Sequence, residues 1–531
     1  MLTFLVIIPI LIAVFLFAFH LKKTVRIIAM LAQAAFVAFA FNLFLTTRYE
    51  PRTTFVGNYY GTLGIILRAD NLAAIFILLT TVIFLVVGFY SLNERNSRTF
   101  WFLLFVLEAS LIGLFLSQDF FNVFVLVEVG TVVATVLLMY DRKRRDNFSG
   151  MLFLMVNIVA MQFYLLGLGY IYKITGALDM NVAAQVLRET DTQQLILPYA
   201  LIMTSIAVKC SLLPTLTWLP KVNSMTGARS SIAAIMSGLQ IKGGIYLFIR
   251  MHSIFDEFVS QTIASELFLI IGIITAISGI ILALSQTNIK LILAYSTIAQ
   301  VGLIIIGLNL GDNYAYFGSL YHIVNHSIFK TSLFLSSGSI IAIYKTRNVN
   351  EIRGLIWKNK AIGIATLLAL SGIIGMPLFS GSVSKYFMMR NVSGLLQWVM
   401  MFINLGTILI CVKYGRMLFG KPKTEIAPVK IDLCKRISVL FLGAMCFVMG
   451  VLGTTFKAFL FNQSFSINTV SYLQKSGIFF ASVVVGLVIS RFVLKREKLI
   501  GFLYELDLSF KVICVTIGVF FATILIVLGV L

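Results

Sequence analysis

Seven ionisable side chains interrupt otherwise apolar stretches of this sequence. They are Glu128 (in FNVFVLVEVG), Lys209 (in AVKCSLLPTLTWLPK), Lys242, His322, His326, Lys330 and Lys385, which closes SGIIGMPLFSGSVSK. Charged groups in such surroundings are costly, and where they persist they mark ion pathways. Low dielectric disfavours a buried ammonium and a nearby carboxylate favours it. A Glu128–lysine pair of variable separation would therefore hold or release a proton, whereas a fixed pair would only join helices as a static salt bridge. His322, His326 and Lys330 stand at i, i+4 and i+8, so one helical face carries three titratable groups ~6 Å apart along the axis. Histidine titrates near neutral pH and passes protons through bridging water. Two histidines one turn apart could also ligate a metal, but no carboxylate or cysteine nearby completes a coordination set. Haem ligation needs histidines on facing helices, and the remaining His20 and His252 lie near the ends of apolar stretches. The plain alternative is a pair of core histidines satisfied by hydrogen bonds. Glu108 falls mid-stretch in LLFVLEASLIG and is an additional candidate, as are Lys290 and Lys413. Lys290 reads more strongly as a cytoplasmic anchor, and Lys413 could snorkel from a helix end.

The elements that must position these groups follow from composition. Of 531 residues 59% are hydrophobic and 12% charged, with a mean hydropathy of +0.98, far from the ~45–50% apolar and ~25% charged of a soluble domain. The fold class is all-α, a polytopic membrane protein. The apolar runs give 16 candidate spans: 2–20, 25–46, 70–92, 99–117, 120–140, 149–172, 197–219, 229–251, 264–284, 290–309, 313–343, 361–390, 394–419, 437–461, 475–495 and 508–530. The first is read as a retained helix, because it lacks a basic leader and a small-residue cleavage site. With the amino terminus outside, basic residues favour the inner connections roughly threefold, in the positive-inside sense. Arg142–Arg145 and Arg416–Arg436 are the densest. The net charge of +21 is thereby explained without nucleic acid. The connections near 47–63, 173–196 and 420–436 are too short to fold alone.

Helix breakers sit beside two of the lysines. Pro214 and Pro220 follow Lys209, and Gly375, Pro377 and Gly381 precede Lys385. Interrupted helices in corresponding positions of two halves point to inverted repeats with sites at the midplane. The 313–343 and 361–390 stretches exceed one straight crossing and are expected to tilt or break, with Gly338 as a breaker in the first. Five scattered cysteines support neither disulfides nor a metal site, and no nucleotide, haem or iron–sulfur motif is present. No metal and no cofactor are expected.

The motifs taken together resemble the antiporter-like subunits of Mrp-type cation/proton antiporters, respiratory complex I and membrane-bound hydrogenases. They are FNVFVLVEVG, the stretch from Lys209 to Arg250, KLILAYSTIAQVGLIIIGL, HIVNHSIFKTSLFLSSGSI and GMPLFSGSVSK, in family order over about 65–420. The resemblance implies a 14-helix core with two inverted five-helix repeats at 99–251 and 264–419, flanked by helices at 1–92 and 420–531. It implies proton transfer through Glu128, its partner Lys209, the central Lys242, the linking His322, His326 and Lys330, and the exit Lys385. Pro214 and Pro377 mark the broken helices. It further implies other membrane subunits as partners, protons and Na⁺ as the candidate ions, a cell-membrane location and no covalent catalysis by this chain. The chain departs from the family around Thr215–Thr217, Lys221–Asn223 and Ala228–Arg229, where a histidine, Asp-Ala-His and Ala-Pro are usual. Two other classes remain open at this point: a stand-alone secondary transporter and a non-transporting scaffold subunit. The proton reading requires Lys242, His322, His326 and Lys330 to form one polar line, with Glu128–Lys209 at one end and Lys385 at the other.

Overall fold

Short polar side chains set where the helices begin. Asp70, Asp119, Asp312 and Asn288 each precede an apolar run and accept a backbone N–H of the first turn, from Ala73, Asn122, Ala315 and Lys290 at 2.9, 2.6, 2.9 and 3.0 Å. These are the capping geometries such residues favour. The computed structural model describes residues 2–18, 22–58, 64–94, 97–140, 144–216, 218–224, 229–421, 429–463, 466–493 and 509–530. His20, Arg142, Lys143, Thr217, Ala228 and part of the Arg416–Arg436 connection lie outside them.

Each of the expected apolar stretches is helical over most of its described residues, and 13 of the described helices are long and apolar enough to cross a membrane. Short elements also lie between the apolar runs, and one expectation needs correction. In the connection after the second helix, Arg52–Phe55 and Ile66–Ala69 pair antiparallel, Arg52 opposite Ala69 and Phe55 opposite Ile66. Two short helices, Met180–Glu189 and Asp256–Gln261, lie in or beside the polar connections. Finally, Asn313–Tyr344 runs unbroken for 32 residues. Gly338 does not break it; a Cβ there would come within 2.4 Å of Ser230 Oγ, so its role is to let a neighbouring helix approach.

The other long stretch does break. Lys360–Ile374 stops at Gly375, whose φ of 78° is open to glycine, and Ser380–Met388 starts afresh after Leu378 at φ 70°. Gly381 sits so close that a Cβ would lie 2.0 Å from the Gly372 carbonyl oxygen. The first break follows the same logic. Thr192–Lys209 ends at the lysine, the chain turns through Cys210–Leu216, and Trp218–Ser224 continues. The Trp218 indole N–H donates at 2.9 Å to the Val208 carbonyl, which also accepts the Ser211 N–H at 3.0 Å. Freed backbone groups at membrane depth require such partners.

Candidate functional site

At one end, Lys209 closes its helix and donates from Nζ to Thr131 Oγ1 at 3.0 Å. Thr131 lies one turn beyond Glu128 on Phe120–Leu138. Glu128 is half-buried and within electrostatic reach of Lys209, yet among the described residues no ion pair joins them, and Glu128 Oε1 is buried without a hydrogen-bond partner. Lys209 is instead hydrogen-bonded to a neutral hydroxyl. A cavity of about 20 Å³ beside Lys209 is lined by Ser110, Gln240, Gly243 and Gly244, room for about one water.

Lys242 follows a widened π turn, Met236–Gln240, in the helix Ser230–Ile254. Such turns free a carbonyl and recur at functional sites; here Lys242 Nζ donates to the Ser237 carbonyl at 2.6 Å. Ser237 Oγ lies 2.7 Å from Thr297 Oγ1. Gly238 brings this helix against Asn313–Tyr344, since a Cβ would come within 2.4 Å of Thr331 Oγ1. That close approach puts Lys242 within electrostatic reach of Lys330 and of both histidines.

His322, His326 and Lys330 are all completely buried, so this face looks into the protein. Lys330 Nζ donates to the Leu293 carbonyl at 3.0 Å and to Ser296 Oγ. The two imidazoles have centroids 6.5 Å apart, and both ring nitrogens of His326 are buried without a hydrogen-bond partner. His322 is fully engaged. Gln300 Nε2 donates to Thr407 Oγ1 at 3.2 Å, so its Oε1 must accept, and His322 Nε2 lies 3.0 Å from it. The Nε2 therefore carries the hydrogen, and in a neutral ring Nδ1 accepts from Ser384 Oγ, 2.9 Å away. Ser384 immediately precedes Lys385. Lys385 donates to the Ile373 and Ile374 carbonyls, freed by the helix break, at 2.9 and 3.2 Å, and to Asn404 Oδ1 at 2.8 Å.

The remaining candidates lie off this line. Glu108 Oε2 accepts from Gln33 Nε2 at 2.5 Å, on the side of its helix toward the second span. Lys413 does not snorkel outward: it donates to the carbonyls of Leu284 and Gln286 at 2.6 and 2.5 Å, closing the end of Ala264–Ser285. Lys290 is buried in the first turn of Ile289–Leu308. His252 stacks on Phe248 and meets Tyr199 Oη at 3.2 Å, an aromatic core contact. Among the described residues no group of three His, Cys, Asp or Glu could hold a metal ion.

Residues that sequence reasoning passed over do much of the connecting: Thr131, Ser237, Ser296, Thr297, Gln300, Ser384, Asn404 and Thr407. One signal was available. Ser296, Thr297 and Gln300 fall on one face of an otherwise apolar run, which is the face turned to the histidines.

Asp70, the cap just before the helix Asn71–Tyr90, accepts from Arg250 Nη2 at 2.6 Å, which ties the start of that helix to the last turns of the helix carrying Lys242. Burial works against ionisation of Asp70. The hydrogen bond and charge of Arg250, the Ala73 N–H and the charge of Arg68 outweigh it and hold the carboxyl below its ordinary range.

The chain is similar to several membrane-complex proteins. It is 31% identical over 337 residues to an Na(+)/H(+) antiporter subunit of Alkalihalophilus pseudofirmus, covering 62% of this chain and 68% of that one. Identity is 30% over 397 residues to an NADH-quinone oxidoreductase subunit of Desulforudis audaxviator, 73% of this chain and 77% of that one. A chain of the Mrp complex from Dietzia sp. shares the fold with a TM-score of 0.81 at 20% identity, covering 90% of this chain and 99% of its own. Residues 117–411, which hold every residue of the polar line, match the family described as NADH:quinone oxidoreductase/Mrp antiporter, transmembrane. This multi-pass membrane chain belongs to the NADH:quinone oxidoreductase/Mrp antiporter transmembrane family.

Proposed function

We propose that the chain is the proton-translocating, antiporter-like subunit of a multisubunit membrane complex, either a cation/proton antiporter or a redox-driven relative, with other membrane subunits as its partners. Protons pass between Glu128–Lys209 and Lys385 through Lys242, His326, Lys330 and His322, and Na⁺ is the coupled cation if the complex is a cation antiporter. The chain makes and breaks no covalent bond. Its repeats are 99–251 and 264–419, with the amino terminus on the outer face.

The observation that carries this reading is the fully buried face of His322, His326 and Lys330, flanked by Lys242 on one side and Lys385 on the other. Hydroxyl and amide side chains engage Lys209 (Thr131), Lys330 (Ser296), His322 (Gln300 and Ser384) and Lys385 (Asn404), whereas His326 makes no hydrogen bond among the described residues. Support for the repeat comes from like features in each half: a lysine at a helix break, and an isolated bridge at the start of the corresponding helix, Asp119 with Asp179 and Asn288 with Asn348. The test is proton uptake into inverted membrane vesicles carrying the whole complex. Lys330→Ala and His322→Ala should each abolish uptake while the chain still accumulates and co-purifies with its partners. Uptake at the parent rate in both variants would exclude the path.

A further inference from the structure

The helix Thr469–Val493 lies beyond the family match, which ends at residue 411, and its inner face is not apolar where it meets the Lys385 half-helix. Tyr472 and Lys475, one turn apart, hold the two ends of Ser380–Met388. At the start, Ser382 Oγ donates to the Phe379 carbonyl at 2.8 Å and lies 2.9 Å from Tyr472 Oη, so the phenol donates to the serine. The same phenol oxygen accepts the Leu378 N–H at 3.3 Å, a backbone donor orphaned by the break. At the other end, Lys475 Nζ donates to the Met389 carbonyl at 3.0 Å and the Tyr386 carbonyl at 3.4 Å. A cation is favoured where a helix leaves its last carbonyls unpaired. The Tyr386 ring stands between the two, 5.8 Å from the Tyr472 ring and 4.8 Å from the lysine nitrogen.

Between this helix, the half-helix and Gly394–Gly415 lies a cavity of about 110 Å³, lined by Lys385, Asn404, Ser382, Tyr472, Lys475 and Ser482 among others, with no carboxylate in its wall. Its wall is mostly apolar, with Lys385, Asn404, Ser382, Tyr472 and Lys475 among its polar members, and its volume has room for several waters. Lys385 therefore borders a cavity whose bounding residues also fix the half-helix on which it rides.

We propose that Tyr472 and Lys475 are positioning residues forming a gate over the Lys385 chamber: their contacts hold Ser380–Met388 closed, and their release admits water to Lys385. The inference rests on the proton reading for its purpose but not for its test. In the full chain within its native complex, Cys434 and Cys514, the half-buried cysteines, are replaced by serine. Ser482→Cys then reports from a chamber wall outside the gate contacts, and a negatively charged, membrane-impermeant thiosulfonate probes it, a charge suited to the lysines. Labelling should be slow in this background and about tenfold faster or more in Lys475→Met and in Tyr472→Phe, the scale of losing charge-assisted or buried hydrogen bonds. Lys475→Arg, which keeps the cation, should restore slow labelling. Equal rates in all variants overturn the gate, as does fast labelling in Lys475→Arg. Failure of Tyr472→Phe to accumulate also overturns it, because a gate must be separable from the fold. Proton uptake is read in the same membranes: normal uptake in Lys385→Ala would sink the proton path while leaving the labelling result to decide the gate.

Discussion

Substituting Gly381 by alanine tests how strictly the second helix break positions Lys385. The added Cβ would stand 2.0 Å from the Gly372 carbonyl oxygen and 3.2 Å from Gly375 Cα. Real Cβ contacts are essentially never under 3.0 Å, so backbone must separate from backbone by about 1 Å, with no flexible side chain to yield. Overpacking of this kind costs ~1–3 kcal/mol, which a chain of this size survives. The consequence for Lys385, one turn further along the same half-helix, is larger. Its bonds to Ile373 and Ile374 are 2.9 and 3.2 Å, and a 1 Å displacement takes both past hydrogen-bond range. Misplacing a reacting group by 1 Å costs on the order of 100-fold, so proton uptake into inverted vesicles should fall by about that factor while the chain remains in the membrane. Gly477→Ala is the control, because nothing lies within 4 Å of its added methyl; it should leave uptake unchanged. Parent-level uptake in Gly381→Ala would refute the claim that this break sets the geometry of Lys385.

Further outcomes follow from the same contacts. Glu128→Ala and Lys209→Ala should abolish uptake without loss of protein, since Lys209 is held by Thr131 rather than by an ion pair; a collapse in yield on the ~3–5 kcal/mol scale of a broken buried pair would restore the static reading. A cysteine at Lys421 should react with an impermeant thiol reagent only from the cytoplasmic side of intact cells, and labelling from outside would reverse the orientation. Asp70→Asn should lower the melting temperature of the detergent-solubilised chain at pH 7. The folded carboxyl titrates below its ordinary value near 4, so its contribution is complete above that value and is lost as pH falls through the lowered one. The gap between parent and variant must therefore shrink below pH 4, and a gap independent of pH would show that Arg250 stabilises nothing through the charge.

The spans and breaks were legible because they depend on composition and on residues with one dominant physical effect. Proline disfavours a helix interior, and the interruptions after Lys209 and before Lys385 both occur, although Pro9 and Pro198 lie inside continuous helices. Glycine without proline is less legible. Gly338 looks like a weak point along a run, yet it is a contact surface whose purpose depends on the residue opposite, Ser230, as that of Gly238 depends on Thr331, and nothing local encodes such a partner. The connecting hydroxyls escaped for a related reason. Serine and threonine in membrane helices commonly bond their own helix's carbonyls, as Thr331 does to Ser327 at 2.7 Å, so their presence does not separate structural from connecting roles. The π turn before Lys242 has no sequence signature, and the Arg52–Ala69 hairpin is too short to show an alternating pattern.

The chemistry of the line also follows from what it lacks. Between Lys209 and Lys385 the named titratable members are cations or imidazoles, and the groups joining them, Ser237, Thr297, Ser296, Gln300 and Ser384, are neutral. No carboxylate on this line can trap a proton by permanent pairing. His326 and Lys330 stand one turn apart, ~6 Å along the axis, and two charges at that distance interact by ~3 kcal/mol at an effective dielectric near 20. On the proposed path, that repulsion favours passing a proton onward over holding two at once. On the proposed path neutral hydroxyls relay a proton without fixing its charge, and Glu128, which among the described residues makes no ion pair with Lys209, stands at the entrance.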